Sequence, residues 1–264
     1  MNSWAIALYR YRHFVTSSIV NDIKSRFARS RLGALWVILQ PLAQVAIFAI
    51  VLSEVLMARL PGIESKFGFA IYLTAGLMAW SLFSEIVLRS STVFIDNANL
   101  LKKISFPRIC LPVVVAGTAL VNNAMLFLAI LVVFALLGHW AGVAIAYLPL
   151  LVLVTTLFAV GLGLFLGVLN VFVRDVGQVT GVVIQLWFWL TPIVYPANII
   201  PEQFRAIVAL NPMTHVVAGY QNVLLRNEAP DLQSLLVPLG LSFVLMFVAF
   251  LLFRRASAEM VDVL

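Results

Sequence analysis

The chain is 264 residues long, 63% hydrophobic and only 11% charged, with a mean hydropathy of +1.06. Globular domains run at roughly 45–50% apolar and ~25% charged residues, so a soluble fold is excluded and the surplus apolar surface belongs in a bilayer. Seventeen basic against eleven acidic residues give a net charge of +6, and the lone Cys110 excludes an internal disulfide or a cysteine-based metal site. In such a chain the basic excess reports topology through its placement, and no nucleic-acid partner is expected.

The opening MNSWAIALYRYRHF lacks the basic-then-apolar order of a cleavable signal, and none is expected. Trp4, Leu8, Tyr11, Val15, Ile19, Ile23 and Phe27 recur at helical spacing, with Arg10, Arg12, Lys24 and Arg26 elsewhere on the wheel. Residues 1–34 therefore read as an amphipathic interface helix on the cytosolic membrane surface, with an ordinary cytosolic helix as the other reading. From 35 to 264 the chain reads as one transmembrane domain. Six apolar runs, at about 35–57, 69–93, 111–137, 143–172, 176–195 and 234–253, are long enough to cross a hydrocarbon core of ~20 helical residues. With both termini inside, twelve Lys and Arg fall on the cytosolic side and only Arg59, Lys66, Arg205 and Arg226 outside. That bias predicts an N-in, C-in topology.

Within the second run, Glu85 and Arg89 form an i,i+4 pair with the acid N-terminal to the base, the favourable order. Ionisable groups at membrane depth are functional candidates, but this pair neutralises itself, so structural pairing stands beside a transport role. Asn122 and Asn123 lie in the third run, and Gln40 and Gln44 share a face of the first. The stretch QLWFWLTPIVYP closes the fifth run. Trp187 and Trp189 lie about 200° apart on a helix, so they cannot face the same way. Gln178, Gln185 and Trp189 share one face of that run; Thr180, Trp187, Thr191 and Tyr195 share the opposite one. After it, 197–230 holds two short apolar pieces separated by Asn211-Pro212. That pattern suits an outer re-entrant helical hairpin, with a folded extracellular cap as the alternative.

Catalytic signatures are missing. His13, His139 and His215 are far apart, no G-x-S-x-G elbow occurs, and no Lys follows a Gly, which excludes a G-x-x-x-x-G-K-[ST] phosphate loop. The chain is expected to be no enzyme, with no catalytic residue, no metal and no cofactor of its own.

Five segments in order give the chain a resemblance. They are LGALWVILQPL at the first run, NANLLKKISFPRICLPV between the second and third, VFVRDV between the fourth and fifth, TPIVYP, and LNPMTHVVAGYQNVLL. Together they resemble the permease subunit of ABC type 2 exporters for cell-surface polysaccharide, the O-antigen/lipopolysaccharide and teichoic-acid group. The resemblance implies an all-α, multi-pass protein of the inner (cytoplasmic) membrane. It implies a homodimer with two separate nucleotide-binding ATPase subunits, which hold ATP and Mg. Among membrane lipids, that assembly would move an undecaprenyl-linked glycan from the cytosol. Teichoic acid, capsule, a drug or another lipid are the alternative cargoes. The missing phosphate loop agrees, because such an exporter needs its ATPase elsewhere.

The resemblance also implies that the loop after the second run carries an ATPase-coupling helix, with Leu100, Leu101, Lys102, Lys103, Phe106, Pro107 and Arg108 as its candidates. A loop basic only for topology explains the lysines but not the paired leucines. For the substrate channel, the expected stripe is Trp187, Thr191 and Tyr195 facing Gln40 and Gln44, since ring faces suit weak, sliding contacts with sugars. Packing and interface anchoring by the three aromatics is the competing reading.

Overall fold

The computed structural model describes residues 9–27, 68–103, 106–136 and 142–256, together with positions 33, 35, 36, 39, 42, 43, 47 and 259. Among these residues nine α-helices follow one another and no strand occurs. They are α1 (Arg12–Phe27), α2 (Gly68–Asp96), α3 (Ala98–Lys103), α4 (Cys110–Leu136), α5 (Leu148–Phe172), α6 (Asp175–Leu190), α7 (Glu202–Leu210), α8 (Pro212–Gln221) and α9 (Leu232–Ala256). A 3-10 turn, Val143–Tyr147, leads into α5, and a π turn, Asn222–Arg226, continues α8. The expected first span, 35–57, falls outside the described residues apart from isolated positions; Gln40, Gln44 and His139 lie wholly outside them.

Among the described residues, four helices are long and apolar enough to cross a membrane: α2, α4, α5 with its lead-in, and α9. They match the expected second, third, fourth and sixth spans. The fifth differs. Expected over 176–195, it is the sixteen-residue α6, which stops at Leu190. Thr191 is already extended (φ −102°, ψ 134°), as a residue preceding proline prefers to be, and Pro192 has no N–H with which to continue the ladder.

Helices α2 and α5 lie at the centre. Helix α9 packs on α5, α4 on α2, and α1 on α4. Phe83 of α2 and Phe158 of α5 stack with centroids 5.4 Å apart and planes 8° from parallel. Backbone proximity comes from small residues. A Cβ on Gly163 would sit 2.6 Å from Ser90 Cβ, and one on Gly167 would strike the Ser90 carbonyl oxygen. Without these glycines α5 could not lie so close to α2, which is how small residues four apart serve helix pairs in membranes.

Amides within the spans join helices. Asn123 donates to the Met78 carbonyl (3.1 Å), and Asn170 donates to the Ser91 carbonyl (2.8 Å) while accepting from the Gly177 N–H (2.9 Å). Each interhelical bond of this kind is worth about 0.6 kcal/mol in a membrane protein. A second apolar cluster, with Phe94 and Phe253 at its centre, closes the end of the bundle that carries α3.

Candidate functional site

At the α3 end, the short helix divides its residues by face. Lys102 and Lys103 are exposed in its last turn, where cations complement the helix dipole. Leu100, Phe106, Pro107 and Arg108 are half-buried. Leu101 points inward among Phe94, Leu111 and Val115, only 8% exposed. Leu101 fixes α3 to the bundle and leaves the lysines as its open face.

Beside it, Arg89 meets two carboxylates. Its guanidinium lies 3.4 Å from Glu85, as the i,i+4 spacing predicts, and 2.5 Å from Asp22 of α1. Glu85 also accepts a hydrogen bond from the Asn122 amide at 2.8 Å. Acid, base and amide from three helices thus share one polar cluster, which answers how a charge is tolerated on α2.

The opposite end is built around the break after α6. Trp187 turns into the bundle, its ring meeting Phe83 (5.3 Å), Phe158 (6.3 Å) and Trp80 (6.5 Å) edge to face. Its indole N–H donates to Asn211 Oδ1 at 2.8 Å. Asn211 also caps α8, accepting from the Met213 N–H (3.0 Å), and its amide donates to the Thr191 hydroxyl (3.0 Å). Thr191, fully buried, donates back to the Trp187 carbonyl at 2.9 Å. Tyr195 is not on the helix: it lies in the irregular segment, and its hydroxyl donates to the Trp189 carbonyl (3.0 Å). The Tyr72 hydroxyl lies 3.1 Å from the Pro192 carbonyl and 3.0 Å from that of Tyr195, and Gln221 donates to the Pro192 carbonyl at 3.1 Å. These bonds satisfy backbone that a continuous helix would have satisfied itself.

Trp187 and Thr191 thereby meet at a joint between α6 and the start of α8, while Tyr195 lies off the helix against Trp189 and Tyr72, so the three do not form a continuous helical stripe. The open face of α6 is the other one. Gln178 and Gln185 are exposed, Trp189 is 53% exposed, and a Cβ on Gly181 would meet nothing within 4 Å. Amides and an indole on an uncovered face offer weak hydrogen bonds and a ring surface: chemistry for binding, not for bond breaking. Sequence reasoning missed Tyr72, Gln221 and Asp22. Asn211 was legible as a helix start, since Asn before Pro is a strong cap-then-N1 signal.

A family model described as ABC-2 type transporter matches residues 15–225. The O-antigen export system permease protein RfbA of Myxococcus xanthus is 28% identical over 257 residues, covering 97% of this chain and 96% of that one. An RfbA of Klebsiella pneumoniae is 26% identical over 249 residues, 92% of each chain. The polysialic acid transport protein KpsM of Escherichia coli is 24% identical over 251 residues, 93% of this chain and 94% of its own.

Proposed function

This chain belongs to the ABC-2 type transporter family, and we propose that it is the membrane-channel subunit of an ATP-driven exporter of lipid-linked, O-antigen-like polysaccharide. The observation that carries this reading is likeness along nearly the whole chain to O-antigen export permeases. Two copies form the channel in the inner membrane, each with six spans and both termini in the cytosol. Two separate ATPase subunits bind ATP and Mg and drive them, since the sequence has no Gly-Lys pair from which to build a phosphate loop. The glycan is carried on undecaprenyl. The likeness to a polysialic acid transport protein favours a capsule-type glycan as the second reading.

Helix α3 docks on the ATPase through Lys102 and Lys103, whose exposure supports that role. The glycan path runs along the Gln178, Gln185 and Trp189 face of α6. Bare amides facing hydrocarbon would each cost free energy, so a hydrated path is the better surrounding for this face. Trp187, Thr191 and Tyr195 hold the exit in shape, and α7 and α8 form the outer hairpin. Deletion of the gene, followed by analysis of surface polysaccharide and of lipid-linked glycan retained inside, tests the reading. Loss from the surface with accumulation inside is expected; an unchanged surface polysaccharide refutes it.

A further inference from the structure

Helix α1 touches α2, α4 and the segment after α3 through side chains spaced along its length. Near its start, Phe14 meets Phe106, just after α3, with ring centroids 5.0 Å apart. One turn on, Ile19 lies so close to Gly117 of α4 that a Cβ there would come within 3.1 Å of Ile19 Cγ1 and closer still to its Cδ1. Three residues further, Asp22 holds Arg89 of α2 at 2.5 Å, and both side chains are about a quarter exposed (26% and 25%). A cavity of about 330 Å³ opens beside these contacts, lined by Phe14, Ser18, Asp22, Arg89, Asp96 and Leu100 among others. Where the cavity intervenes, α1 and the α2–α3 corner are not closely packed, so point contacts carry the connection between them.

Positions 14, 18 and 22 recur every four residues, on one side of the helix. A helix held at Phe14 and again two turns on at Asp22 moves as a rigid rod between them, so displacement at Phe106 is felt at Arg89. Arg89 is in turn bonded to Glu85, which holds Asn122 of α4. We propose that Asp22 is a positioning residue. Through Arg89 it ties α1 to the spans, so that α1 carries movement of the α3–Phe106 segment into α2 and α4. This rests on the exporter reading above, in which that segment meets the ATPase; the tether itself rests only on the contacts.

The test measures tether and export separately. Cysteines at 19 and 117 in a Cys110→Ser background are placed to form a disulfide, because the Gly117 Cβ would adjoin the Ile19 side chain. Asp22→Asn should lower disulfide yield in native membranes about fivefold, the scale of losing a partly exposed ion pair; Asp22→Glu should keep it near the parent. With Ile19 and Gly117 intact and the ATPase subunit present, Asp22→Asn should cut surface polysaccharide about tenfold, within the usual range of coupling between sites. ATP hydrolysis by the complex should persist, and Asp22→Glu should restore export. Unchanged disulfide yield in Asp22→Asn overturns the tether. Lowered yield with normal export overturns its role in transmission, and so does loss of export and hydrolysis together through failed assembly. A parent complex that exports no polysaccharide while its disulfide responds as described counts against the exporter reading alone and supports the tether.

Discussion

Replacing Asn211 by alanine removes the hub of the joint between α6 and α8. Its Oδ1 serves both the Trp187 indole and the Met213 N–H, and its amide reaches Thr191. Loss of the cap costs about 1 kcal/mol. The indole N–H, left in an aromatic surround but only half-buried, costs about a further 1–2 kcal/mol. The expected total is about 2–3 kcal/mol. Trp187→Phe removes the same donor while leaving the cap intact, and should cost about 1 kcal/mol. Equilibrium unfolding in mixed micelles of the two single variants and the double gives the coupling. It should lie near the average of about 0.6 kcal/mol for interhelical polar pairs in membranes and below their maximum of about 1.7 kcal/mol. Asn211→Asp, which keeps the acceptor, should retain most of the stability. A loss below ~0.5 kcal/mol for Asn211→Ala, the scatter of ordinary surface changes, or strict additivity in the cycle, would refute the joint.

Gly167→Ala should abolish folded protein on size-exclusion chromatography, because its methyl group meets the Ser90 carbonyl, whereas Gly240→Ala, with open space around it, should fold and gain up to about 1 kcal/mol in helix propensity. Leu101→Asp should lower folded yield, because that side chain lies in the core, while reversing Lys102 and Lys103 to Glu should leave yield intact and sever ATPase activity from export. Asp231, just before α9, has its carboxyl held below the usual carboxylate range, chiefly by the Ser234 hydroxyl and then by the Ser234 and Gln233 amides and nearby His215. A lowered folded-state pKa gives stability that is present above the unfolded value of about 3.9 and is lost as pH falls through the folded one. Unfolding midpoints of parent and Asp231→Asn should therefore differ at neutral pH and converge only below about pH 4.

The four long apolar helices were legible because hydropathy over ~20 residues needs no knowledge of partners. So was the Glu85–Arg89 pair, whose spacing lies within one helix. The early end of α6 was not. Its apolar run continues to Val194, and what makes an irregular backbone tolerable there is Tyr72 and Gln221, which lie 120 and 29 residues from Pro192. A helical wheel sorted Trp187 from Trp189 correctly onto opposite faces, yet it cannot say which face is inward; Phe83 and Phe158, on two other helices, decide that. That Leu101 turns into the bundle depends likewise on Phe94, Leu111 and Val115 of other segments, and Asp22 was missed because its partner is 67 residues away.

The sixteen residues of α6 rise about 24 Å, roughly 6 Å less than a typical ~30 Å hydrocarbon core. A bilayer meeting the exposed Val179, Val183 and Leu190 would have to thin locally to match so short an apolar helix. The elastic cost grows with acyl-chain length, so thinner membranes should suit the α6 side best. Lengthening the lipids of a host or a proteoliposome loads the α6 side of the protein more than the others.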